Sequence, residues 1–110
     1  MAKVFVTQVP QRRVNGVFVP KIDLSAAYEH GEVIVMVPPS QPFFATQDLV
    51  RDLRQHLTRY DYYEGDCLMA LGDPAIIAVA AALLGQMKGR FCLLKWDREL
   101  RKYLKTTIAV

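Results

Sequence analysis

Residues 70–85 read "ALGDPAIIAVAAALLG". An apolar run that begins at Cys67 meets the turn Gly72-Asp73-Pro74. Beyond it, Ala75–Leu84 carries no charged residue. A strand followed by a glycine and a helix is a common place to hold a phosphate, because the first amides of a helix point outward unpaired. The residues here argue for a structural turn instead. Pro74, at the first helical position, has no N–H to offer. Asp73, at the N-cap, directs its carboxylate to those amides and adds negative charge where an anion would sit. One glycine also falls short of the Gly-x-Gly-x-x-Gly and Gly-x-x-x-x-Gly-Lys-Ser/Thr patterns. Gly72 therefore lets the strand turn, Asp73 caps the helix, and Pro74 pre-sets its φ. The unit is β-turn-α, and the rest of the fold is read outward from it.

Toward the N-terminus, "TQDLVRDLRQHLTRY" (46–60) is amphipathic. Leu49, Val50, Leu53, Leu57 and Tyr60 share one side at helical spacing, with Arg51, Asp52, Arg54, Gln55 and Arg59 on the other. Thr46 is its expected N-cap. "EVIVMV" (32–37), between Gly31 and Pro38-Pro39, is unbroken and apolar, the pattern of a strand covered on both faces. "DLSAAYEHG" (23–31) suits a helical turn capped by Asp23 or Ser25 and closed by Gly31. "KVFVTQV" (3–9) reads as a strand ended by Pro10. Asn15-Gly16 in "RRVNGVFVP" signals a hairpin, since both residues tolerate positive φ.

Toward the C-terminus, "RFCLLKW" (90–96) and "YLKTTIAV" (103–110) are two further strands. Leu104, Ile108 and Val110 share one face of the last one, and Lys105 and Thr107 the other. Strand-helix-strand repeats make the runs at 33–37, 67–71 and 91–96 parallel neighbours. The reading is a single α/β domain over residues 1–110. It is a sandwich with a mixed, mostly parallel sheet of about five strands, two main helices and a C-terminal β-hairpin. The helix at 74–87 is apolar almost all round, more than one sheet can bury. A homodimer through that helix is the expectation that follows.

Composition narrows the function. The 110 residues are 52% hydrophobic, so a core forms without disulfides. Cys67 and Cys92 both lie in apolar runs, with no Cys-x-x-Cys and no leader sequence, and read as reduced core thiols of a cytoplasmic protein. The apolar stretch 67–85 approaches spanning length, but Gly72-Asp73-Pro74 interrupts it, which argues against a membrane segment. His30 and His56 have no metal-ligand spacing, and no metal or cofactor is expected. Ser25 and Ser40 lack a nucleophile context. Asp61, Glu64 and Asp66 read as a solvated loop. No catalytic constellation is present, so the expectation is not an enzyme.

Charge is uneven. Residues 1–87 hold seven Lys/Arg against nine Asp/Glu, a net −2; residues 88–110 hold seven against two, a net +5. Within the basic segment, "GRFCLLKWDRELRKYLK" interleaves Trp96, Arg98, Arg101, Lys102 and Tyr103. These types dominate binding hot spots, and the pattern also suits stacking and phosphate contact on single-stranded nucleic acid. The expected partner is a host protein or a nucleic acid bound through this hairpin. The alternative is a small-ligand or nucleotide-binding domain, or an enzyme, using the strand ends near Gly72.

In "GDPAIIAVAAALL" and "GRFCLLKWDRELRKY", and in the placement of "IDLSAAYEHGEVIVMVPP" and "YLKTTIAV", the chain resembles small proteins of tailed bacteriophages. The likeness runs from about Ile22 to the end. It implies a phage product acting in the host cytoplasm, and it brings no activity or catalytic residues with it.

Overall fold

The computed structural model describes residues 1–20, 24–38 and 47–110. In chain order these form β1 (Lys3–Gln8), β2 (Gln11–Val14), β3 (Val17–Pro20), a 3-10 helix (Ser25–His30) and β4 (Glu32–Val37). Then come α1 (Gln47–Thr58), a 3-10 turn (Tyr62–Glu64), β5 (Cys67–Met69), α2 (Pro74–Lys88), β6 (Arg90–Asp97) and β7 (Lys102–Ala109). The hairpin expected at Asn15-Gly16 is β2-β3, with Asn15 at φ 51° and Gly16 at φ 80°. The caps proposed at Asp23 and Thr46 lie outside the described residues. Ser25 does not cap. It is the first residue of the 3-10 helix, whose N-cap is Leu24, with no side-chain cap bond.

One sheet carries five strands in the order β4-β1-β5-β6-β7. As expected, β4, β5 and β6 run parallel and β7 returns antiparallel to β6. The strand that sequence left unplaced is β1, which inserts between β4 and β5 and is parallel to both. The chain therefore passes over β1 on its way from β4 through α1 to β5. This insertion makes β1 and β5 central, and Val4, Phe5, Val6, Cys67 and Leu68 are fully buried. It also moves β4 to an edge. The expectation that "EVIVMV" is covered on both faces is corrected here: Val35 is 41% exposed and Glu32 is exposed. An edge strand has a neighbour on one side only, and the 3-10 helix packs over Val33 without covering Val35.

Both long helices lie on one face. Leu49, Leu53, Leu57 and Tyr60 meet Ile76, Ala80, Leu83 and Leu84 over Phe5, Leu68 and Phe91. The thinner layer opposite is the 3-10 helix, whose Ala27 packs over Val4, Val6, Met69 and Leu94. α2 is less enclosed than its composition suggested. One stripe is buried, and Ala78 and Ala82 face outward. Alanine there exposes little apolar area, so a two-layer domain accommodates an uncharged helix.

Candidate functional site

Three places on the molecule bear on function. The first is the turn at Gly72. The connection out of β1 leads toward the 3-10 face, and the one out of β5 leads to α2 on the opposite face. The gap between the ends of β1 and β5 is thus the switch point at which open α/β sheets bind ligands. Here it is filled by the chain itself. Thr7 Oγ1 donates to the Leu71 carbonyl and accepts from the Leu71 amide at 2.8 Å. Gln8, buried, donates from Nε2 to the Pro38 carbonyl at 3.0 Å and accepts the Asp73 amide on Oε1 at 3.2 Å. Gly72 sits at φ +87°, and a Cβ placed there would lie 2.7 Å from Gln8 Cβ. Glycine is required because the backbone must pass Gln8 in a left-handed conformation. Asp73 caps α2 as expected, accepting the Ala75 amide at 2.8 Å, with Pro74 at the helix start. Asp73→Ala should cost about 0.5–2 kcal/mol in a urea melt; an unchanged midpoint would contradict the capping role.

The second place is the β6-β7 tip. The two strands pair without a break from Arg90 opposite Ala109 to Asp97 opposite Lys102. Asp97 folds the turn, its Oδ1 accepting the Glu99 and Leu100 amides at 2.9 and 3.0 Å. Arg101 takes a positive φ of 52°. Register and pleat divide the hairpin residues singled out from sequence. Trp96 and Tyr103 are cross-strand partners on the face of the 3-10 helix. Lys102 takes the other face, and Arg98 and Arg101 lie in the turn. Trp96 is 46% exposed and meets the Tyr103 ring edge-on, centroids 5.0 Å apart. Tyr103 itself is only 7% exposed and packs with Leu94 and Met69. It supports Trp96 and is not a surface contact. One apolar residue that sequence reasoning did not single out stands at the tip, Leu100, 59% exposed; Leu104, 37% exposed, lies on the opposite face of β7 from Trp96, as its sequence pattern with Ile108 indicated. The run Glu99-Leu100-Arg101 gave the signal, a leucine inside a charged turn. Among the described residues, Arg98, Arg101 and Lys102 make no ion pair.

The third place is the opposite pole, where the parallel strands begin. A cleft of about 630 Å³ is lined by Arg59, Tyr62, Tyr63, Lys88 and Arg90, among others. Two of its cations, Lys88 and Arg90, are engaged locally. Lys88 Nζ donates to the Thr58 carbonyl at 3.1 Å, and the Arg90 guanidinium lies 5.5 Å from the centre of the Tyr62 ring. Both long helices end here, and their carbonyl termini favour such cations.

Below that cleft lies a buried polar knot. Asp66, fully buried, accepts the Lys3 amide at 2.8 Å and the Asp61 amide at 2.9 Å, and pairs with Lys3 Nζ at 3.0 Å. The hydrogen bond to Asp66 raises the Lys3 ammonium above its ordinary value. Tyr60 Oη donates to the Asp66 carbonyl and accepts the Cys92 amide, both at 2.7 Å. The expectation of a solvated acidic loop is thus corrected for Asp66: it holds the entry to β5 against β1. Cys67 and Cys92 are free and buried, direct partners across β5-β6, with Sγ atoms 3.1 Å apart. Burial, and then the neighbouring Cys92, pushes the Cys67 thiol up to about 12, which suits an inert core thiol.

No helix among the described residues is long and apolar enough to cross a membrane. No curated protein and no solved structure matches the chain. The family model of the phage Pam3 gp32-like protein does match, over residues 2–110, and it spans every element described above. The chain belongs to the phage Pam3 gp32-like protein family.

Proposed function

We propose that this phage protein is a small non-enzymatic binding module that docks on a host protein, in the host cytoplasm, through the β6-β7 tip. The observation that carries the reading is the make-up of the tip. Trp96 and Leu100 are solvent-exposed beside Arg98, Arg101 and Lys102. A Trp held from below by a buried Tyr is a rigid apolar anchor, and Trp and Arg are the residues that concentrate binding energy at interfaces. The alternative, a small ligand at the strand ends near Gly72, has less support, because Gln8 and Thr7 already occupy the hydrogen-bonding groups there.

A nucleic-acid partner is the second reading, favoured by the net +5 of residues 88–110. One experiment separates the two. The purified protein is used to capture partners from host lysate with and without nuclease. It is compared with a variant carrying Trp96→Ala, Arg98→Ala, Arg101→Gly and Lys102→Ala. Glycine is chosen at 101 because φ is positive there. For a protein partner, capture survives nuclease and Trp96→Ala alone costs about 2 kcal/mol or more of binding. For a nucleic acid, capture is lost with nuclease, and log K falls with log salt. Each cation removed then flattens that slope by roughly 0.7–0.9. If the variant keeps its circular dichroism and loses no partner of either class, the tip is not the docking surface.

A further inference from the structure

We propose that β7 is a homodimer interface, pairing with β7 of a second copy across a two-fold axis to join the two sheets. This rests on the sheet edge and is independent of the docking reading.

Among the described residues, β7 is the last strand of its sheet and pairs only with β6. Alternate residues of an edge strand direct their N–H and C=O groups outward, ready for another strand. Soluble proteins commonly blunt such an edge with a bulge, a proline, a short length or inward charges. β7 has few of these devices. It runs from Lys102 to Ala109 without proline, and its register with β6 is unbroken, so it carries no bulge. Its charges are Lys102 at the tip end and Lys105 in the middle.

The residues select both the occupant and the register. A strand that meets its own copy antiparallel must place same-face residues opposite each other. Two such registers overlap most of β7. One centres on Lys105, setting two ammonium groups directly opposite, which is unfavourable. The other centres on Thr106. Thr106 then faces Thr106 of the second copy, and Leu104 faces its Ile108 twice over, on the helix side of the sheet. On the other side, Lys105 faces Thr107 and Tyr103 faces Ala109. Leu104 is 37% exposed and Ile108 is half-buried, so the pairing covers apolar surface that the single chain leaves open. The strand is therefore complementary to itself in one register, as a two-fold interface requires. The joined sheet holds two copies of the five strands and places the two docking tips at opposite ends of the paired ribbon.

The test measures mass and register together. Light scattering at micromolar concentration should give twice the 12.5 kDa chain mass. Thr106→Cys should form an intermolecular disulfide under mild oxidation, seen on a non-reducing gel, whereas Lys105→Cys should not. Thr106→Asp sets two carboxylates across the axis and should weaken the dimer roughly tenfold or more with circular dichroism unchanged. A monomer across the whole concentration range would overturn the proposal. So would a dimer that Lys105→Cys cross-links and Thr106→Cys does not, or one that Thr106→Asp leaves intact.

Discussion

Asp66→Ala should destabilise the domain by about 3–5 kcal/mol, a large part of the stability a domain of this size holds. The carboxylate is fully buried and has three partners: the Lys3 amide, the Asp61 amide and the Lys3 ammonium. Removing it leaves two amides without an acceptor and an ammonium only 15% exposed with no counter-charge but the more distant, half-exposed Glu64. Each orphaned donor costs about 1–3 kcal/mol. Asp66→Asn should be nearly as damaging. Its amide oxygen can accept one of the N–H groups, but its NH₂ then faces donors. Glu64→Ala is the control. Glu64 also reaches Lys3, at 3.4 Å, but it is about half exposed, and its loss should cost less than about 1 kcal/mol. Urea denaturation of the three variants decides the matter. If Asp66→Ala and Glu64→Ala fall within experimental error of each other, Asp66 is not the structural knot described.

Asp66 also shows where reading the sequence reaches its limit. The local features were legible because each depends on its neighbours in the chain. Asp73-Pro74 announces the start of α2, Asn15-Gly16 announces a hairpin, and the leucine spacing of 49, 53 and 57 gives the buried stripe of α1. The parallel relation of β4, β5 and β6 followed from the alternation of strands and helices. The position of β1 did not, since nothing within "KVFVTQ" says that it inserts between two strands that follow one another later in the chain. Three of the readings that the structure changes trace to that insertion. It makes β4 an edge with Val35 exposed. It brings Lys3 to Asp66 and converts a residue of an acidic loop into a buried anchor. It also places Thr7 and Gln8 in the switch-point gap beside Gly72. Near Asp66 the one usable cue was its place directly before the buried run "CLM", where a charge at a strand entrance needs a partner. At the hairpin the residue types were legible but their faces were not. Trp96 and Tyr103 look equivalent in sequence and share one face as direct partners, but Tyr103 packs in the cluster of Met69 and Leu94 and is buried, whereas Trp96 is left half in solvent.

Above pH 9 the protein should lose stability steeply, by about 3–4 kcal/mol between pH 9 and 11. Three buried or paired groups all hold their protons more tightly in the folded chain. The Cys67 thiol, ordinarily at 9.0, is pushed up to about 12 by burial and by Cys92. The Tyr60 hydroxyl, ordinarily at 10.0, is raised further by burial. The Lys3 ammonium, ordinarily at 10.5, is raised by its hydrogen bond to Asp66. As pH passes 9 and then 10, the unfolded chain releases protons that the folded chain keeps. The folded state then binds more protons than the unfolded one, so rising pH favours unfolding. Each group adds a slope of about 1.4 kcal/mol per pH unit between its unfolded and folded values. Cys67 contributes from pH 9 and Tyr60 from pH 10; Lys3 adds a small amount just above that. Cys67→Ala should remove the decline between pH 9 and 10 and about halve it above pH 10. Tyr60→Phe should leave the decline between pH 9 and 10 and about halve it above pH 10. At neutral pH Tyr60→Phe should also cost about 2–4 kcal/mol, because it leaves the Cys92 amide and the Asp66 carbonyl unpaired. Urea midpoints measured from pH 8 to 11 give the slopes directly. A flat profile for the wild-type chain, or a decline that both variants leave untouched, would show that these groups are not held as the hydrogen bonds and burial describe.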